Sequence, residues 1–276
     1  KDNGVSAADV RVAQEAWANY LGRKVEEEDE IAAGVKMKFV LVPPGRFLMG
    51  SPEGEAERSK DEVQHEVEIT KPFYLGVYDV TQAQYEAVTG KTPSNFKGSD
   101  LPVEMVSCEE AEAFAKGLTE KARDGLLYRL PHEAEWEYSC RGGRPASLPF
   151  GIGDGASLSS HDANFDGNYP YGGAEKGPYL QKTTPVGTYK ANTLGLYDMH
   201  GNVWQWCADR YGDYPTGRAV DPTGPPSALS RVGRGGGWTD AGGRGCRAAS
   251  RGRGEPGGRS FILGFRLARV PSGLDK

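Results

Sequence analysis

"GLYDMHGNVWQW" runs from Gly195 to Trp206 and is the stretch on which the reading of the fold turns. It is rich in aromatic residues and glycine, and two unlike regions flank it. On its N-terminal side, from Arg144 to about Thr188, there is little periodicity. An irregular stretch of that length inside a domain usually carries a function or is held by an ion. On its C-terminal side, "SRVGRGGGW" and "FILGFRLARV" read as strands. They bracket "WTDAGGRGCRAASRGRGEPGGRSFILGFR", Trp238–Arg266, which is crowded with Gly and Arg yet begins on a Trp and ends on an apolar run.

Farther upstream the regular elements are easier to place. In "SAADVRVAQEAWANYLG", Ser6 and Asp9 have capping-box spacing, and Gly22 is placed for a C-cap. Val10, Ala13, Trp17 and Leu21 fall on one face of that helix. "VEEEDE" after it reads as a solvated charge run or linker. "KFVLVPPGRFLMG" reads as a hairpin around a Pro-Pro-Gly turn, and "HEVEIT" and "FYLGVYDV" as further strands. Thr81 with Gln84 opens a short helix. Ser107 with Glu110 opens another, whose buried face is Ala111, Phe114, Ala115 and Leu118. "YRLPHEAEWEYSCRGG" starts extended, turns helical near Pro131 and ends at Gly142-Gly143. His132 stands where a Ser or Thr would cap more strongly. No period of 20–50 residues recurs, so the chain is not a solenoid. Two or three helices, many short strands and long loops suggest one α+β domain with an irregular half.

The 276 residues are enough to bury a sizeable core. Their 39 Gly and 18 Pro suit a loop-rich fold. A net charge of -5 argues against a general nucleic-acid binder. The charge is uneven, however. Residues 51–70 are largely acidic, whereas Arg231–Val270 holds nine Arg against one Asp and one Glu. Either that end binds something anionic or its arginines are structural. Cys108, Cys140, Cys207 and Cys246 form no CxxC pair and no Cys/His cluster of zinc spacing. No stretch is long enough to span a membrane. The chain starts at Lys1 without a signal-peptide pattern, which suggests a processed form or part of a longer protein; compartment is not legible.

Six motifs occur in one order: "FVLVPPGRFLMGS", "PFYLGVYDVTQAQYEAV", "YRLPHEAEWEYSCRGG", "GLYDMHGNVWQW", "RGGGW" and "GFRLAR". The series resembles the formylglycine-generating-enzyme (sulfatase-modifying factor) family over roughly residues 35–270. The resemblance implies an α+β, C-type-lectin-like (formylglycine-generating-enzyme-type) fold with long irregular loops over 35–270; the helix and linker over 1–34 precede it. It implies that Trp136, Trp204, Trp206 and Trp238 are structural aromatics. It also implies that Arg247 and Arg251, the family's R-x-A-x-R, are at least partly buried and paired, as Arg forks satisfy carboxylates and carbonyls well.

Enzymes of that family oxidise a substrate cysteine to formylglycine with two cysteines that hold copper(I), a metal that prefers sulfur ligands. One cysteine lies two residues after the Trp of R-G-G-S-W, and the second five further on. Here Asp240 takes the first place and Gly243 the second, in a loop about two residues shorter, and Cys246 is out of register. A carboxylate and a glycine do not replace two thiolates, so the resemblance carries the fold without the copper site and no catalytic residue is assigned. The His-x-x-x-His-x-Glu element of the family's iron-dependent sulfoxide-synthesising branch is absent as well.

Between Arg231 and Arg269 there is no Lys, Gln, Met, Asn, Tyr or His. Between the positions that fit the family frame stand Gly233, Thr239, Asp240, Ala241, Gly243, Gly245, Ser250, Gly252, Gly254, Gly258, Ser260, Phe261 and Ile262. Each of these residue types can be reached from an Asn codon by changing its first two adenines; Lys, Gln, Glu, Met and Trp cannot. The pattern resembles the variable region of proteins diversified by a retroelement, many of which share this family's fold. Within this candidate variable region, 233–262, residues 239–262 are then expected to display an exposed protein-binding surface, Gly- and Ser-rich with Phe261 and Ile262 as apolar anchors. A divergent, static pseudo-enzyme from a GC-rich genome is the alternative, and a copper oxidase acting on a protein cysteine is the rival from another class.

The resemblance also implies calcium at "GLYDMHGNVWQW", through Asp198, carbonyls of Gly201 and Val203, and the side chain at Gln205, where the family carries Glu. Alternating oxygen donors suit Ca²⁺. A second family site would begin at Asn164 and Phe165, although its later acidic ligand is not evident near Pro178. Asp198 and Asn202 hydrogen-bonding tight loops is the other reading. A monomer is the expected state.

Overall fold

The computed structural model describes residues 5–122, 125–144 and 148–271. In chain order its elements are α1 (Ala7–Leu21), β1 (Glu26–Ala32), β2 (Val35–Val42), β3 (Gly45–Met49), β4 (His65–Ile69), β5 (Phe73–Gly76), α2 (Gln82–Thr89), α3 (Cys108–Lys121), β6 (Leu126–Arg129) and α4 (Glu133–Arg141). After a long stretch without regular elements come β7 (Trp204–Arg210), β8 (Ala219–Val220), β9 (Arg231–Arg234), the single turn α5 (Gly242–Gly245), β10 (Gly252–Gly254), β11 (Leu263–Gly264) and β12 (Ala268–Pro271).

The helices start where local chemistry dictates. Capping boxes form at Ser6/Asp9, Thr81/Gln84 and Ser107/Glu110, each satisfying two otherwise orphaned N–H donors. Gly22, Gly90 and Gly142 end their helices in the left-handed region, which lacks a penalty only for glycine. α3 buries Ala111, Phe114, Ala115 and Leu118 as its periodicity predicts. The buried stripe of α1 is rotated from the expected one: Val10, Gln14 and Ala18 face inward, while Ala13, Trp17 and Leu21 are half-buried. Gln14 tolerates burial because its amide nitrogen donates to Leu41 O at 2.9 Å and Leu194 O at 3.3 Å.

Two sequence expectations fail for a shared reason, that strand partners are non-local. The "VEEEDE" run is a strand, not a linker. β1 pairs antiparallel with β2, so residue 34 lies in a hairpin turn rather than at a domain boundary. Its alternation turns Glu27 and Asp29 inward, where buried Arg269 of β12 binds both carboxylates and Tyr128 Oη donates to Asp29 at 2.8 Å. β2 and β3, in turn, are not a hairpin. β2 lies between β1 and β5, whereas β3 pairs with β4 in another sheet. Pro43 and Pro44 between them have no N–H for a hairpin ladder and make a corner instead.

The sheets are ordered β1-β2-β5-β12-β6, β10-β9-β7-β11 and β3-β4-β8. β12 lies antiparallel between β5 and β6, tying the C-terminal region into the N-terminal half. The irregular half has its own apolar cluster of Phe150, Leu158, Ala163, Phe165, Tyr171 and Cys246. Burial of these side chains gives that stretch a core without regular elements. The second sheet brings "VWQW" beside the Gly/Arg segment and carries the candidate site.

Candidate ligand-binding face

The acidic loop and the basic tail are two halves of one buried network. Arg247, 1% exposed, binds both Glu62 oxygens at 2.7 Å, Glu55 at 2.6 Å and Glu57 O at 3.0 Å. Arg251 forks onto Glu133 at 2.7 and 2.9 Å, donates to Gly212 O at 3.0 Å and stacks on Tyr214, 3.9 Å from its ring centroid. Arg234 meets Glu137, which also takes Arg141 at 2.8 Å. Burial pushes the Glu137 carboxyl up, but Arg141 and Arg234 outweigh it and hold the group below its ordinary value. Both family arginines are therefore buried and paired, and most of the tail's charge is internal. Arg244 and Arg253 are the exposed tail arginines with no carboxylate partner among the described residues. The sequence sign of this network that went unused is Glu133 and Glu137 at helical i,i+4 spacing in "EAEWEY".

The places expected for thiols are occupied by loop-building groups. Asp240 Oδ2 accepts from Trp204 Nε1 and from Gly237 N–H, both at 2.8 Å. Burial raises the Asp240 carboxyl, against the pull of these two donors. Gly243 lies in α5. Cys246 is fully buried, and a Cβ on the left-handed Gly236 would stand 2.8 Å from its sulfur. All four cysteines are free and buried. Burial pushes the Cys108 and Cys140 thiols up to about 12, and those of Cys207 and Cys246 well above the ordinary value. Thiols raised in this way are poor nucleophiles near neutral pH.

The residues implied for calcium do not fit that ion. Gln205 Oε1 accepts from Trp136 Nε1 and from Arg266 Nε, each at 2.6 Å, and its amide nitrogen donates to Asp198 O at 2.9 Å. The amide oxygen is thus committed to two protein donors. Asp198 Oδ2 accepts from Gly187 N–H at 2.7 Å, and burial pushes its carboxyl up to about 6. Gly201 and Val203 supply only carbonyls to such a site. At the second site, Asn164 Nδ2 donates to Lys182 O at 2.9 Å and to Asn202 Oδ1 at 3.1 Å, and Phe165 lies in the smaller core. Both loops are held by hydrogen bonds and packing. Among the described residues no group of three or more His, Cys, Asp or Glu is arranged to hold a metal.

The tryptophans divide by depth. Trp136 and Trp206 are fully buried and Trp238 nearly so, while Trp204 is only half-buried. Trp206 donates to Val106 O at 3.1 Å. Trp238 sits among Phe96, Tyr179 and Phe261. Trp204 shares its sheet face with Trp206. Trp206 pairs with Gly233, which pairs with Gly252; the two-residue period then aligns Trp204 and Gly254 on the same face. That face carries two indoles and three glycines. It holds a cavity of ≈ 230 Å³ lined by Trp204, Trp206, Ser260, Ile262 and Leu263 together with the glycines and Arg253.

The expected variable residues do not share one environment. Thr239, Ala241, Gly258, Ser260 and Ile262 are partly exposed, and Phe261 is exposed against Trp238, 5.6 Å between ring centroids. Asp240 is half-buried but bonded as above. Gly233, Gly245 and Ser250 are buried, contrary to the expectation of solvent-facing positions. Ser250 Oγ donates to Arg244 O at 2.8 Å. A Cβ at Gly245 would stand 2.7 Å from Asp240 Cβ. At Gly252 it would lie 2.9 Å from the Trp204 ring, and at Gly254 2.6 Å from that of Trp206. Those glycines let β10 lie directly on the indoles, a close approach that a side chain would block. Sequence reasoning missed the Gln205–Trp136–Arg266 hub and the pairing of His132 Nδ1 with Asp209 at 3.0 Å, both made across the fold.

Comparison with known proteins gives consistent relatives. The sulfatase-modifying factor enzyme 1-like domain matches residues 26–271. The formylglycine-generating enzyme of Streptomyces coelicolor is 36% identical over 286 residues, covering 83% of this chain and 88% of that protein. The serine/threonine-protein kinase pkn1 of Chlamydia caviae is 31% identical over 273 residues, covering 90% of this chain and 41% of that protein. The chain thus spans about two fifths of the length of curated relatives of that kind. Among solved structures, Treponema denticola variable protein 1 superposes with a TM-score of 0.74 at 26% identity, over 88% of this chain and 98% of that one.

Proposed function

The chain belongs to the sulfatase-modifying factor enzyme 1-like family, with its α+β, C-type-lectin-like fold, and on that premise we propose that it is a non-catalytic ligand-binding protein. Support comes from the likeness of its scaffold to that of Treponema denticola variable protein 1. The ligand, a protein, would dock on the face built by Trp204, Ser260, Phe261 and Ile262, and the exposed loop positions there would be those rewritten by a retroelement. The observation that carries this reading is Asp240. At the place of a catalytic cysteine, its carboxylate ties Trp204 to the Gly237 backbone, so the loop is built as a support for the indole.

A copper(I) titration followed at the thiolate–copper absorption band, with oxygen uptake in the presence of a cysteine-containing peptide, tests the non-catalytic half. Neither stoichiometric copper binding nor oxygen uptake is expected; both together would restore the oxidase reading. For the binding half, alanine at Phe261 and Ile262 is expected to weaken binding to an identified protein partner, and unchanged binding would remove the face from consideration. A second reading, a static pseudo-enzyme interaction module, draws support from Gly245, Gly252 and Gly254. Free variation at those positions is blocked by the side chains they touch.

A further inference from the structure

β10 is an edge strand. It pairs with β9 alone, and apart from that ladder no hydrogen bond among the described residues uses the N–H or C=O of Gly252, Arg253 or Gly254. Proteins usually guard such an edge with bulges, prolines, charges or a covering element. Here two of the three residues have no side chain, and the third, Arg253, is exposed without a carboxylate partner among the described residues. Its guanidinium lies 5.5 Å from the Tyr211 ring centroid. Immediately beside the edge lies the Trp204 cavity.

We propose that β10 takes up an extended, acidic segment of a partner protein as an added strand, with an apolar side chain of that segment seated in the Trp204 cavity. This deepens the ligand-binding reading and rests on it. The two-residue period of a strand fixes what the segment must look like. Its residues opposite Gly252 and Gly254 point to the indole face and must be apolar. Those opposite Arg253 point to the other face, where a carboxylate complements the unpaired guanidinium. Alternating acidic and apolar residues therefore satisfy both faces at once. The glycines keep the β10 backbone accessible, and the lone Arg selects against basic strands that would otherwise add to the same edge.

The test uses the full chain and a fluorescein-labelled, acetylated and amidated hexapeptide of alternating Asp and Phe. Fluorescence anisotropy reads affinity, and amide hydrogen exchange reads residues 252–254. Saturable binding is expected, with exchange at 252–254 slowed at least tenfold. N-methylation of the peptide amides on one edge should abolish binding, while N-methylation on the other edge should change it less than threefold. Arg253→Glu should weaken binding at least tenfold, and Arg244→Glu, at the other unpaired arginine, less than threefold. Absence of binding overturns strand addition, as does equal loss from both methylated peptides or indifference to Arg253→Glu. If the peptide quenches tryptophan fluorescence in the parent but not in Trp204→Phe, yet leaves exchange at 252–254 unchanged, strand addition fails while the ligand face stands. The ligand face fails separately if the Phe261 and Ile262 variants keep their partner.

Discussion

Replacing Arg247 by Met removes the guanidinium that neutralises Glu55 and Glu62 while keeping most of the side-chain volume. Both carboxylates are almost inaccessible, 3% and 1% exposed, and Arg247 donates three hydrogen bonds to them. Water cannot reach them without opening the acidic loop. Breaking a buried ion pair from one side costs about 3–5 kcal/mol, because a charge is left without compensation. Two orphaned carboxylates place this variant toward the upper end of that range. For a chain of this size the loss corresponds to a fall in Tm of roughly 6–20 °C. Arg253→Met is the control: an exposed arginine with no carboxylate partner should stay within about 0.5 kcal/mol of the parent. Urea unfolding followed by tryptophan fluorescence measures both. Adding Glu55→Gln and Glu62→Gln to Arg247→Met should recover a large part of the loss. A single variant within 0.5 kcal/mol of the parent would refute the claim that the basic tail is internal structure.

Other consequences are equally direct. Burial pushes the Asp79 carboxyl up to about 8, with Arg266 only partly opposing it, whereas an unfolded Asp titrates near 3.9. Between those values the native state holds a proton that the unfolded state lacks, so stability falls as pH rises from about 4 to 8. Asp198, pushed up to about 6, adds to the lower part of that window. Asp79→Asn should flatten the slope of Tm against pH across it, and an unchanged slope would reject the assignment. Gly254→Ala places a Cβ 2.6 Å from the Trp206 ring and should cost about 1–3 kcal/mol by chemical denaturation. Because Gln205 Oε1 is already held by Trp136 and Arg266, calcium or a chelator should leave Tm unchanged within error; a calcium-dependent rise would show that the loop recruits the ion after all.

What was legible in the sequence was local. Capping boxes bind residues three apart, so Ser6/Asp9, Thr81/Gln84 and Ser107/Glu110 could be read directly. The motif series fixed the fold and the burial of Arg247 and Arg251, but not their partners, which lie on a distant acidic loop. Glu27 and Asp29 look like a solvated run until Arg269 of β12 arrives beside them. The codon-like pattern could not separate a glycine that was drawn by chance from one that an indole requires. Gly252 and Gly254 belong to the second kind, and only the register of β10 on β9 and β7 reveals it.

The measurement that bears most directly on a varied ligand-binding face is deep sequencing of the 3′ end of the gene, with its flanks, across a clonal population and its relatives. The account predicts substitutions gathered at the codons of Thr239, Ala241, Ser260, Phe261 and Ile262, matching adenines of a nearby template copy. Gly245, Gly252 and Gly254 should stay fixed by the side chains they touch. A uniform 3′ end with no template and no reverse transcriptase nearby would contradict it and leave a static member of the family.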